Sequence, residues 1–118
     1  MTDLSTRPWF STTTWLTLPD AADRLGTTAS RVRRMLDDYV LIATRVDGVR
    51  KVPEVFIVDG EPMHELRGTL TVLHDNAFDD DEALDWLLSD EESLGTSPVA
   101  ALLAGRKAEV RRVAQSLA

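Results

Sequence analysis

Three arginines and a serine fall within five consecutive positions, Ser30-Arg31-Val32-Arg33-Arg34. Projected on a helix at roughly 100° per residue, Val32, Met35, Leu36 and Tyr39 share one apolar sector. Ser30 and Arg34 point nearly opposite to it, with Arg31 and Arg33 on the two flanks. Guanidinium groups arranged this way can donate two hydrogen bonds to a guanine edge or grip phosphates. A serine among them is small enough to let a helix approach a surface closely. A second basic group, Arg45, Arg50 and Lys51, surrounds the dipeptide Asp47-Gly48. Strand alternation puts Arg50 and Lys51 on opposite sides, so at most one of that pair faces a given surface. On a duplex, such residues would touch phosphate or the minor groove, which positions a protein and adds salt-dependent affinity. The alternative is an ordinary solvated surface, with the helix arginines paired to Asp37 and Asp38 and the hairpin left free in water.

Short elements must carry these groups. Thr17-Leu18-Pro19-Asp20 is a helix start: Thr17 can cap, Pro19 lies in the first turn, and Asp20 takes the third position of a capping box. Leu18, Ala21, Ala22 and Leu25 then recur at helical spacing. Gly26 ends this helix, and Thr28 is placed to cap the next, which bears the arginines. The period changes after Leu41. Leu41–Val46 and Val49–Val52 flank Asp47-Gly48 as two strands flank a tight hairpin turn. Val55–Val58 continues as a short extended piece before the Asp59-Gly60 turn, with Pro53 marking an edge or a bulge. Pro62–Leu73 is expected to form a third helix. Further helices are expected from the acidic start Asp79-Asp80-Asp81-Glu82, from Ser97-Pro98, and over Arg106–Leu117, where Val110, Val113, Ala114 and Leu117 share one side.

Charge is unevenly spread. The whole chain carries −7, which by itself disfavours nucleic acid. Yet residues 24–51 hold seven bases against three acids, so a positive face can exist if the acids are held elsewhere. Arg24 is a further, weaker phosphate candidate. Cysteine is absent, which excludes disulfides, thiolate catalysis and cysteine-based zinc sites. No apolar run is long enough for a membrane span, and the N-terminus lacks the pattern of a signal peptide, so a cytoplasmic protein with no membrane partner is expected. His64 and His74 lack ligand spacing, and Asp79-Asp80-Asp81 lacks the glycine and the twelfth-position ligand of a calcium loop. No phosphate loop, nucleophile elbow or catalytic carboxylate pair is found. Neither enzyme activity, cofactor nor metal is expected.

Residues 1–14 are rich in Ser and Thr and lack periodicity. They are expected to form a flexible tail in which Trp9 and Phe10 alone are large enough to dock. Thr6, Thr12, Thr13 and Thr14 make this tail a candidate substrate of a Ser/Thr protein kinase. Each phosphate would add nearly two negative charges near a basic face and weaken binding to DNA.

The stretch Trp15–Gly26 (Trp-Leu-Thr-Leu-Pro-Asp-Ala-Ala-Asp-Arg-Leu-Gly) resembles the opening of MerR- and excisionase-like winged helix-turn-helix domains. Further pieces are Asp47-Gly48, Val52-Pro53 with Phe56, the run Leu66–Leu73 and the segment Ala83–Leu88. Together these resemble a group of small actinobacterial DNA-binding proteins of mycobacterial type. In that group a winged helix-turn-helix precedes a dedicated helical C-terminal domain. The resemblance runs from about Trp15 to the C-terminus and implies DNA binding without specifying an operator. The last helices are also similar, more weakly, to the toxin-binding domain of certain antitoxins.

The expected fold class is mostly α (α+β). The expected organisation is a tail over 1–14, a winged helix-turn-helix over 15–62 with a short hairpin wing, and a helical domain over 63–118. The expected function is binding of double-stranded DNA by a transcriptional regulator or nucleoid-associated factor. Ser30, Arg31, Arg33 and Arg34 would meet the major groove, and Arg45, Arg50 and Lys51 would serve as wing contacts. The competing expectation is a protein-interaction module whose C-terminal helices hold a partner and whose winged part is a scaffold. Neither reading fixes the oligomeric state.

Overall fold

The computed structural model describes residues 3–117. They fold as two compact units, one of residues 13–67 and one of residues 68–117 together with the described part of the N-terminal segment, residues 3–12.

The first unit opens with strand β1 (Trp15–Thr17), which runs directly into helix α1 (Leu18–Leu25). The Thr17 hydroxyl accepts the Asp20 amide at 3.2 Å, and Pro19 occupies the first turn, where its missing N–H costs nothing. Gly26 ends α1 in the left-handed region at φ 66°, a conformation glycine adopts without strain. Only Thr27 and Thr28 separate it from α2 (Ala29–Asp37), whose cap is the Thr28 hydroxyl, 3.2 Å from the Arg31 amide. Strands β2 (Thr44–Val46) and β3 (Val49–Pro53) follow, and the antiparallel sheet has the order β1-β3-β2. Asp47 and Gly48, at φ 53° and 79°, turn the hairpin in the left-handed pair of conformations that suits strand twist. Leu16, Ala21, Ala22, Val32, Leu36, Val52 and Phe56 are buried in this unit.

Beyond the wing the chain makes a 3-10 turn (Glu54–Phe56) and a two-residue hairpin of β4 (Ile57–Val58) with β5 (Glu61–Pro62). Here the structure corrects the expected helix over Pro62–Leu73. Pro62 pairs with Ile57, and the Met63 amide donates to the Phe56 carbonyl at 2.8 Å. Helix α3 therefore starts at Leu66 and runs to Asp75. The expected strand over Leu41–Val46 is likewise shorter, because Leu41, Ile42 and Ala43 are buried without ladder pairing. The boundary between the units falls within α3, after Arg67 rather than at residue 62.

The second unit continues with α4 (Asp80–Leu88), α5 (Pro98–Leu103) and α6 (Lys107–Gln115). Asp79 and Glu82 form a reciprocal capping box at the start of α4, so the acidic run serves as a helix start. Leu70, Leu73, Ala83, Leu84, Leu87, Ala101, Leu102, Val110 and Ala114 are buried. The Asn76 amide joins α3 to α6 by donating to the Ala114 carbonyl at 3.0 Å.

The described part of the expected tail is ordered. Leu4–Thr6 forms a 3-10 turn capped by Asp3, whose carboxyl is held below its usual range by hydrogen bonds from the Ser5 hydroxyl and amide. Leu4 is buried, an anchor of about 1.5–3 kcal/mol for a side chain of its size. The Trp9 indole donates to Asp85 at 3.1 Å, and Arg7 lies 3.3 Å from the same carboxylate.

Candidate nucleic-acid interface

The cap at Thr28 fixes where the basic residues of α2 begin. Val32 and Leu36 are buried and Met35 is half-buried, which leaves Ser30, Arg31, Arg33 and Arg34 exposed. Residues three and four apart on a helix are surface neighbours, about 5–6 Å between Cβ atoms. Ser30, Arg31 and Arg34 therefore form one continuous face with Arg33 at its edge. Among the described residues none of the three arginines enters an ion pair, and Asp37 and Asp38 stay unpaired as well. The alternative of an internally neutralised helix is thereby corrected.

No acid occupies the first turn of α2, where Arg31 sits. A cation there meets the positive end of the helix dipole, which is mildly unfavourable unless an anion is present. The helix end and the guanidinium groups thus favour the same kind of ligand.

On the wing, Arg45 pairs with Arg50 and Thr44 with Lys51. Directly opposed residues share a face of the sheet, so Arg45 and Arg50 stand together and Lys51 lies on the other side with buried Thr44. Arg45 is exposed and donates to the Gly48 carbonyl at 3.2 Å, while Arg50 and Lys51 are half-buried. Val49, beside the turn, is 49% exposed although its partner Val46 is buried. Sequence reasoning missed this residue because alternation alone does not say where a hairpin leaves its core. Arg24 is not a free cation: its Nη1 lies 2.9 Å from Glu54 Oε2.

The four candidate threonines are dispersed. Thr6, Thr12 and Thr14 are exposed and Thr13 is half-buried. The Thr12 hydroxyl donates to the Trp9 carbonyl at 3.1 Å, and the Thr14 carbonyl accepts the Glu54 amide at 2.8 Å.

The histidines have structural surroundings. His64 Nε2 is 3.3 Å from Glu61. His74 meets the Phe78 carbonyl through Nδ1 at 2.8 Å and Asp80 through Nε2 at 3.2 Å. Among the described residues no group of three or more His, Asp or Glu is placed to hold a metal ion, and no helix is long and apolar enough to cross a membrane.

A helix-turn-helix followed by a two-stranded wing is the architecture expected from the sequence, and comparison with known proteins agrees with it. Residues 10–57 match the family described as "DNA-binding protein Rv2175c, wHTH domain", and residues 63–118 match "Rv2175c C-terminal domain of unknown function". The DNA-binding protein Rv2175c of Mycobacterium tuberculosis is 35% identical over 114 residues, covering 86% of this chain and 78% of the relative. The chain belongs to the Rv2175c family. The NMR structure of Rv2175c superposes with a TM-score of 0.82 at 34% identity, over 90% of this chain and 82% of that one. This Rv2175c-family chain is thus an α+β winged helix fold with a helical C-terminal domain.

Proposed function

We propose that this chain binds double-stranded DNA through its winged unit, as a transcriptional regulator or nucleoid-associated factor rather than an enzyme. Ser30, Arg31, Arg33 and Arg34 face the major groove, while Arg45, Arg50 and Lys51 contact the backbone from the wing. The name of the 35%-identical relative and the family description support the ligand class. The observation that carries the reading is the set of exposed, unpaired arginines on α2, whose first turn holds no acid. Arg45 opposite Arg50 adds a second point of uncompensated charge.

The test is a salt titration of the full chain on a labelled random-sequence duplex. Each phosphate contact should contribute about −0.9 to the slope of log affinity against log salt. An Arg31→Ala, Arg34→Ala double variant should lose at least about tenfold in affinity, given ~1–3 kcal/mol for one good base contact. Binding that ignores both salt and the double variant would overturn the reading and favour a protein partner. A Ser/Thr protein kinase acting on Thr6, Thr12, Thr13 or Thr14 is the regulatory part of the proposal, supported by the exposure of three of them. Replacing the four with Glu should weaken DNA binding, and unchanged binding would remove the switch.

A further inference from the structure

Charge in the helical unit is segregated. All four bases of residues 68–117 (Arg106, Lys107, Arg111 and Arg112) fall within seven consecutive positions, and nine of the ten acids lie outside them. A surface built only for solubility intersperses both signs.

Helix α6 sorts these charges further. Val110 and Ala114 are buried, and Lys107, Arg111 and Arg112 lie on the exposed side with Ala108 and Gln115. The acid of this helix, Glu109, is already matched: Arg106 donates to its Oε2 at 2.7 Å and to the Leu94 carbonyl at 3.1 Å. That hydrogen bond holds the Glu109 carboxyl below its usual range. Among the described residues, Lys107, Arg111 and Arg112 enter no ion pair.

One of these cations has a prepared seat. The Arg111 guanidinium lies over Gly68 of α3, with Cζ 3.3 Å from where a Cβ would stand and Nη2 inside the space that Cβ would fill. Glycine within a helix costs about 0.5–1 kcal/mol relative to alanine. Here its missing side chain makes room for a cation that no carboxylate holds.

We infer that the outward face of α6, formed by Lys107, Arg111 and Arg112, is a second contact for the phosphate backbone of duplex DNA. The inference rests on the DNA-binding reading of the winged unit, which supplies the duplex. Lys107 and Arg111, one helical turn apart, are about 6 Å apart along the axis, and a duplex offers several phosphate charges over such a length. Once the winged unit is bound, a weak second contact gains from high effective concentration.

The experiment uses the full chain on the same random-sequence duplex across a salt series. A Lys107→Ala, Arg111→Ala, Arg112→Ala variant should show a salt slope shallower by about 0.9 for each phosphate that is no longer neutralised. A compensated version also carries Asp75→Asn, Asp90→Asn and Glu92→Gln, which returns the net charge to −7. The compensated chain should keep the shallow slope, which separates local contact from overall charge. Circular dichroism melts of both variants check that the exposed substitutions leave the fold intact. A slope equal to the parent's, with the Arg31/Arg34 double variant still defective, overturns the α6 contact, leaves the winged-unit reading standing and points to an acidic protein as the occupant of this face. Recovery of the parent slope in the compensated chain also overturns it. Absence of salt-dependent binding by the parent chain overturns both readings.

Discussion

Arg45 and Arg50 stand directly opposite each other across the β2–β3 hairpin. Cross-strand partners approach to about 4.5–5.5 Å at Cβ, and like charges there are destabilising. The hairpin therefore carries a local electrostatic cost that an anion would relieve. Substituting Arg50→Glu should stabilise the folded chain by roughly 0.2–1 kcal/mol while weakening its grip on DNA. Thermal melts and duplex titrations of one variant check both signs. A variant less stable than the parent, or one binding equally well, would remove the wing from the interface.

The cap of α2 couples stability to the interface. Thr28→Ala removes the acceptor for the Arg31 amide and should cost about 1 kcal/mol. Denaturant unfolding measures that loss. Thr28→Asp should retain the cap and the stability, yet place a carboxylate beside the arginines. It should therefore bind DNA less well than the parent at equal stability.

Arg24 is held by Glu54 in an exposed pair worth at most about 1 kcal/mol. Glu54→Gln should leave the melting temperature nearly unchanged and raise DNA affinity severalfold at low salt. The gain should vanish as salt rises past the range where exposed charges are screened, with a Debye length of about 8 Å at 0.15 M. Unchanged affinity at low salt would place Arg24 away from the duplex.

Gly68→Ala is expected to displace the Arg111 guanidinium, the flexible end of its side chain, rather than the backbone of α3. The helix should gain up to about 1 kcal/mol from the better propensity of alanine. A higher melting temperature together with altered Arg111 side-chain NMR signals is the expected outcome. Strong destabilisation would show that the side chain has nowhere to go.

Much of the winged unit was legible because its boundaries rest on local chemistry. Thr17, Pro19, Gly26 and Thr28 each act through groups within a few residues, and Asp47-Gly48 specifies its own turn. The arginine face of α2 followed from periodicity alone. Tertiary choices were not legible. Strand β1 is three residues long and becomes a strand only by pairing with β3, so no period announces it. Pro62 has the residue type of a helix start but is claimed by Ile57 across a tight turn. Leu4 and Trp9 sit in a polar, aperiodic stretch, and nothing local says that one is buried and the other meets Asp85 some 76 positions later. The pairing of Arg24 with Glu54 is equally non-local, which is why its charge looked free.

The burial of Leu4 bears on how the chain comes into being. Residues 3–12 belong with 68–117, so the helical unit is interrupted by the whole of the winged one. During synthesis the winged unit has all of its residues once Arg67 has emerged. The helical unit must keep its first segment waiting until α6 leaves the ribosome, a vectorial order in which the winged unit can fold before its companion is finished. A fragment beginning at Gly68 would also lack the leucine that belongs to it, and should be a poorer folder than the same fragment supplied with the N-terminal peptide in trans.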